Sequence, residues 1–197
     1  MTKADRTRQF IVEKTASIFN MKGYAGTSLS DLTEATGLTK GSIYGNFVNK
    51  DEVALAVFDH NLYLLNKGLN AVADDSSNAI DKLLNLANFH RLAFRNTLNR
   101  GGCPILNTAV EADDTHPLLK EKVSKSIKAW KNNIESIVKK GILENEINAT
   151  TNASEFATEY ISLVEGGILL AKTTGDFSLL NTCIARIEKI INSELKL

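Results

Sequence analysis

Apolar residues recur at three- and four-residue spacing along nearly the whole of this chain, and that periodicity constrains the fold class more than any other feature. No stretch sustains the alternation of a strand. Only two prolines occur, Pro104 and Pro117. Each sits where a helix can begin, the position at which a missing N–H does no harm. The expectation is an all-α protein of about nine helices. Its loops are marked by Gly23, Gly37, Asp74 to Ser77, Arg100-Gly101-Gly102, Asp113 to Thr115 and Asn145 to Asn152. At 197 residues the chain can bury a core without disulfides or a structural metal.

Local signals place the helices. The first is predicted over 3–22, with Ile11, Ile18 and Phe19 as its apolar stripe and Gly23 as its left-handed stop. Ser28 followed by Asp31 reads as a capping box that opens a short second helix ending at Gly37. Thr39 is placed to cap a third short helix reaching Phe47. Asn49 with Glu52 caps a long fourth helix to about Ala73, striped by Val53, Val57, Leu64 and Leu65. Further helices are predicted over 78–98, from Pro104, from Pro117, over 153–173 and over 178–196. The helix from Pro117 shows a seam of Val123, Ile127, Trp130, Ile134 and Ile137.

Two short helices joined by a tight turn containing Gly37 form a helix-turn-helix pattern between Ser28 and Phe47. Leu32, Ala35, Leu38, Ile43 and Phe47 face inward in this reading. Thr39, Lys40, Ser42, Tyr44 and Asn46 are left on the other faces. These groups suit phosphates and base edges in a major groove. The start of the second helix also points free backbone N–H groups at a phosphate. Gly41 and Gly45 each lower helix propensity by roughly 1 kcal/mol, a cost that close approach to DNA would explain. A purely structural helical hairpin has the same spacing. The surroundings favour the DNA reading, with a basic helix before the pattern and a capped long helix directly after it. The net charge is zero, but up to Lys50 seven Lys/Arg stand against four Asp/Glu.

Gly23-Tyr24, Thr27-Ser28, Asp31-Leu32, the run Gly37 to Tyr44, Phe47 and Lys50-Asp51-Glu52 together resemble the tetracycline-repressor (TetR) family of bacterial regulators. The resemblance extends over about Arg8 to Phe58. It implies an N-terminal three-helix DNA-binding domain over 1–50. It also implies a divergent helical regulatory and dimerisation domain over 51–197. Thr27 or Ser28 would touch phosphate, Thr39, Lys40, Gly41, Ser42, Tyr44 and Asn46 would line the DNA, and Lys50 would contact phosphate. Many members carry a bulky aromatic or polar residue where Gly45 stands, so that contact is absent here or passes to Asn46. The function implied is a ligand-responsive repressor. It would bind a palindromic operator on double-stranded DNA as a homodimer, two recognition helices entering successive major grooves. A small-molecule inducer would release it.

The last two helices are unusually apolar. Phe156, Tyr160, Leu163 and Gly167 lie on one side of the first, and Ile161, Val164 and Ile168 on another. The second repeats Leu180, Ile184, Ile187, Ile191 and Leu195. They complete the core of one chain, or they also bury against a partner. The resemblance favours a two-fold dimer built on Phe156, Tyr160, Leu163, Gly167, Leu180, Ile184, Ile187 and Ile191. It also places an inducer cavity near the segment Gly101 to Leu106 and the fourth helix. Phe89, Phe94, Leu106, Trp130 and Tyr160 are candidates for its wall, and each is equally a candidate for ordinary core.

Other classes find little support. His60, His90 and His116 lack metal-ligand spacing, and no nucleophile–base pair is evident, so neither an enzyme nor a bound cofactor is expected. Met1 to Gln9 is polar and no apolar run approaches a membrane span, so a cytoplasmic protein with reduced cysteines and no membrane contact is expected. Cys103 is either a reactive thiol at a helix start or a small buried residue at a tight turn. Glu111, Asp113 and Asp114 form an acidic cluster of the kind that is ordinarily solvated. His116 reads as a helix cap or a surface residue.

Overall fold

A computed structural model describes residues 2–74 and 78–197. Its helices are α1 (Lys3–Gly26), α2 (Leu29–Thr36), α3 (Lys40–Tyr44), α4 (Lys50–Asp74), α5 (Ala79–Asn99), α6 (Pro104–Ala112), α7 (Pro117–Leu143), α8 (Ala153–Thr174) and α9 (Phe177–Ile190). A π-helical turn, Ile191–Leu195, follows α9. Among the described residues there is no strand, only one bridge between Ile147 and Lys196. The all-α expectation holds. The part of the predicted loop at Asp75 to Ser77 lies outside the described residues.

The caps read from sequence are present. Ser28 Oγ accepts the Asp31 N–H at 3.1 Å and the Asp31 carboxylate accepts the Ser28 N–H at 2.7 Å. Lys22 donates to the same carboxylate at 2.6 Å. Lys22, with Ser28 second, holds the Asp31 carboxyl well below the ordinary carboxylate range. Gly37 ends α2 in the left-handed conformation. Thr39 Oγ1 accepts the Ser42 N–H at 3.2 Å. At the start of α4 the capping box is only half made. Asn49 Oδ1 accepts the Glu52 N–H at 2.9 Å, but the Glu52 carboxylate turns to the Val48 N–H at 2.6 Å.

Two boundaries differ from the expectation. α3 ends at Tyr44 rather than Phe47, because Gly45 weakens the helix and the Asn46 N–H closes a tighter turn onto Ile43 O at 3.0 Å. α1 is interrupted at Gly23, as expected, but does not end there. The backbone breaks there, with φ 72° and ψ 179°, and one further turn runs to Gly26. The reason lies on α6. The Glu111 carboxylate accepts the N–H groups of Tyr24 and Ala25 at 2.6 and 2.7 Å. A Cβ on Gly23 would lie 2.3 Å from Glu111 Oε2. Glu111 is therefore not an idle member of a solvated cluster.

The described chain divides into two compact units. The first comprises the chain up to Leu65 together with Asn99–Val123, and the second comprises Asn66–Leu98 with Ser124–Leu197. In the first, Ile11, Val12, Ala16 and Phe19 of α1 pack with Leu32 of α2, Ile43 of α3, Phe47, and Val53, Ala54 and Val57 of α4. Each large side chain removed from water here contributes roughly 1.5–3 kcal/mol.

The second unit is built on α8 and α9. Phe156, Tyr160, Leu180, Ile184, Ile187 and Ile191 are all at most 3% exposed within one chain. Gly167 is buried, and a Cβ there would lie 2.9 Å from Leu180 Cδ1, so it marks a close crossing of α8 with α9 inside the chain. Leu163 is half-buried. Seven of the eight residues read as a dimer surface thus form the core of their own subunit. On α8 periodicity did not separate the two faces, because a helix apolar almost all round offers no polar side to orient it; on α9 the regular Leu180, Ile184, Ile187 stripe is the buried side of a helix whose other face is polar. The seam on α7 also shifts. Ser126, Ile134 and Val138 are buried and Trp130 is half-buried, whereas Ile127 is 38% exposed.

Candidate nucleic-acid interface

α3 has five residues, too few to stand alone, so its position depends on what it packs against. Ile43 and Phe47 anchor it, at 0% and 2% exposure. That arrangement turns Thr39, Lys40 and Gly41 to solvent and leaves Ser42, Tyr44 and Asn46 half-exposed. Tyr44 also rests its ring on the core, and the Asn46 amide donates to Ser42 O at 2.9 Å. One short segment therefore carries two hydroxyls, a cation, a phenol and an amide, beside a glycine whose backbone is bare.

Ser28 and Thr27 separate clearly. Ser28 is exposed at the start of α2. Thr27 is fully buried and its hydroxyl donates to Gly23 O at 2.6 Å. Its side chain supports the turn and is not part of the surface. Lys50 opens α4, with Nζ 4.5 Å above the Tyr24 ring.

The residues that hold this surface in place were not legible in the sequence. Arg8 of α1 donates to Asn46 O and to Glu52 Oε1, each at 2.6 Å, and its guanidinium lies 4.0 Å over the Phe47 ring. It fastens the segment that follows α3 to both α1 and α4. The Val48 N–H, then Arg8, lower the Glu52 carboxyl from its ordinary range. Exposed ion pairs are ordinarily worth little. This one also satisfies a backbone carbonyl and covers an aromatic ring. Arg8→Ala should weaken DNA binding about tenfold, because a charge-assisted hydrogen bond contributes roughly 1.5–3 kcal/mol. The slope of log affinity against log salt should stay unchanged, since Glu52 already matches the Arg8 charge. A slope lowered by about one would identify Arg8 instead as a phosphate contact.

A second support gathers at the end of α1. The Tyr24 hydroxyl donates to Asp51 at the start of α4, and this bond, with burial second, pushes the phenol up to about 12. His116 meets the Tyr24 ring edge-on at 4.6 Å, and its Nδ1 accepts the Leu119 N–H at 3.3 Å, which makes it the cap of α7. The Asn20 amide donates to Arg100 O and Gly102 O at 2.6 and 2.9 Å. Asn107 of α6 donates back to Asn20 O at 3.0 Å. α6 is thus tied to the helix that leads into the helix-turn-helix.

Phe89, Phe94, Trp130 and Tyr160 fall in the second unit, and Leu106 in the first. Trp130 and Tyr160 meet at 6.4 Å between ring centroids, while Phe94 pairs with Phe177 at 5.0 Å. Cys103 is 3% exposed at the turn before α6, the buried alternative of its two readings. Among the described residues no group of three or more His, Cys, Asp or Glu is placed to hold a metal ion, and no helix is long and apolar enough to cross a membrane.

Comparison with known proteins gives two family matches. The model described as bacterial regulatory proteins, tetR family, matches residues 11–57, and the one described as tetracyclin repressor-like, C-terminal domain, matches residues 79–187. The crystal structure of a TetR family transcriptional regulator from Cytophaga hutchinsonii is 42% identical, with TM-score 0.91, and covers 100% of this chain and 98% of that one. That of a TetR transcriptional regulator from Chloroflexus aurantiacus is 34% identical, with TM-score 0.95, over 100% of both chains. The HTH-type transcriptional repressor DhaR of a Mycobacterium species is 26% identical over 165 residues, 84% of this chain and 82% of its own length.

Proposed function

Because this chain belongs to the TetR family of bacterial regulatory proteins, we propose that it is a ligand-responsive repressor that binds a palindromic operator as a homodimer and is released by a small-molecule inducer. The observation that carries the reading is the presentation of Thr39, Lys40 and Gly41 to solvent by a helix anchored through Ile43 and Phe47. Ser42, Tyr44 and Asn46 extend that contact to base edges, and Ser28 and Lys50 add phosphate contacts at two helix starts. Thr27 supports Ser28 from beneath. The working division is DNA recognition over 1–50 and regulation with dimerisation over 51–197. The protein acts in the cytoplasm, on DNA, without a catalytic step.

Repression is favoured by the similarity to DhaR, itself named a repressor, and by the simplest physical effect of a bound dimer, which is to cover the operator. Dimerisation falls to the outward faces of α8 and α9. There Ser162, Gly166, Leu169 and Thr173 form one row, and Leu169 and Leu170 are half-exposed. Induction is a population shift, so the inducer must bind the released state more tightly than the DNA-bound state. α4 contributes residues to both units and is the continuous element through which such a shift would pass.

The test is fluorescence anisotropy with the DNA immediately upstream of the protein's own coding sequence, followed by footprinting. Salt-sensitive, sequence-selective binding with a two-fold symmetric footprint is expected. Failure to select any sequence from a genomic fragment library would sink the reading.

A further inference from the structure

Five aromatic rings pack together in the second unit. His90 of α5 lies 5.7 Å from Trp130 of α7, and Trp130 lies 6.4 Å from Tyr160 of α8 in an edge contact. Phe89 and Phe156 extend the cluster at 5.7 and 6.1 Å. Phe89 lies against α4 at Gly68, where an added Cβ would come within 2.6 Å of the ring. Such a cluster is most simply core. Two atoms argue otherwise. His90 and Tyr160 are 6% and 1% exposed, yet neither His90 Nε2 nor the Tyr160 hydroxyl has a hydrogen-bond partner.

Buried polar groups in native proteins are nearly always paired, and each exception calls for a cause. Phenylalanine would fill both positions at similar volume with no polar atom to satisfy. Here two unpaired groups flank the same indole. A neutral imidazole nitrogen either donates or accepts, and a phenol does both. Together they match a molecule that carries one donor and one acceptor. Charge is disfavoured. Burial pushes His90 down to about 4 and raises the Tyr160 hydroxyl, and the same desolvation acts on any ion that enters. The adjacent cation, Arg91, is already paired with Glu188 at 3.0 Å. Phe89 and Trp130 are half-buried and give the cluster an edge open to solvent.

We propose that this cluster is a binding site for a neutral, flat aromatic molecule with a hydrogen-bond donor and acceptor, held by His90 Nε2 and the Tyr160 hydroxyl and stacked beside Trp130. The proposal rests on the inducer reading above and names the class of molecule that would serve it.

Trp130 is the single tryptophan, so its emission reports the site directly. The probe is methyl 4-hydroxybenzoate, with methyl benzoate as the analogue that lacks the donor and 4-hydroxybenzoate as the anion. The neutral phenol should quench Trp130, and each comparison compound should bind about tenfold or more weakly, the effect of one lost hydrogen bond. His90→Phe and Tyr160→Phe should each weaken the probe by a similar factor. Both should also raise Tm, because an unpaired buried polar group is removed without loss of volume. Undiminished probe binding by both variants, equal binding of the anion, absence of quenching by the phenol, or a lowered Tm in both variants would overturn the proposal. DNA affinity of the unaltered chain is read in parallel. Probe binding that leaves it unchanged supports this site and removes the inducer reading. Release from DNA by some other molecule, with no probe binding, overturns this site and leaves that reading in place.

Discussion

Gly166→Glu should yield a monomer whose affinity for operator DNA falls into the non-specific range, a loss on the order of 10³-fold or more. Gly166 sits on the outward row of α8, and no atom lies within 4 Å of where its Cβ would be. Within one chain a side chain can therefore start from this position without displacing a neighbour. The substitution should even strengthen α8, since glycine costs a helix roughly 1 kcal/mol relative to ordinary residues. In the two-fold dimer proposed above, which uses this face, the same change would bring a like charge from each subunit into the contact between them. The expected combination is an unchanged or raised unfolding midpoint, a halved mass by light scattering and a collapse of DNA binding. A dimer of full affinity would remove this face from the interface. The inward face gives the contrast. Substituting Gly167 should strain the fold itself, because Leu180 and Cys183 stand 2.9 and 3.0 Å from the position of a Cβ.

Ile43→Ala should lower the stability of the first unit by roughly 2–5 kcal/mol, the range for truncating a buried aliphatic side chain. Ile43 is fully buried at the centre of the cluster that joins α1, α2 and α4. Ile43 and Phe47 are the fully buried anchors of the recognition segment, so losing one weakens the hold on a five-residue helix that cannot stand alone. DNA binding should fall although no DNA-facing group has changed. Ile43→Val should retain most of both properties, at about 0.5–1.5 kcal/mol. Denaturant midpoints and anisotropy on the same samples check this. Full stability in Ile43→Ala would contradict the packing described here.

Features legible in the sequence are those whose partners lie within one turn. The Ser28–Asp31 box, the Thr39 cap, the Gly37 stop and the proline at the start of α6 each involve neighbours at most four residues apart. The outward set on α3 followed from spacing once Ile43 and Phe47 were placed inside. Long-range partners were not legible. Arg8 reaches Asn46 and Glu52 across 38 and 44 positions, and Glu111 reaches Tyr24 and Ala25 across 87 and 86. Nothing local distinguishes such an arginine or glutamate from a solvated one. The inward and outward faces of α8 were equally hidden, because its apolar residues run almost all round, whereas α9 carries a polar face of Ser178, Asn181, Thr182, Arg186 and Lys189 opposite its buried stripe. Thr27 and Ser28 are adjacent hydroxyls that differ only in which one the break at Gly23 turns inside.

The central claim is that the exposed face of α3 meets the phosphates and bases of DNA. Its most direct test is the salt dependence of operator binding in the unaltered chain and in Lys40→Ala. Removing one phosphate-contacting cation should weaken binding and lower the magnitude of the log–log slope by about one, with the dimer intact. An unchanged affinity and slope, or a loss that appears only because the dimer has dissociated, would contradict it.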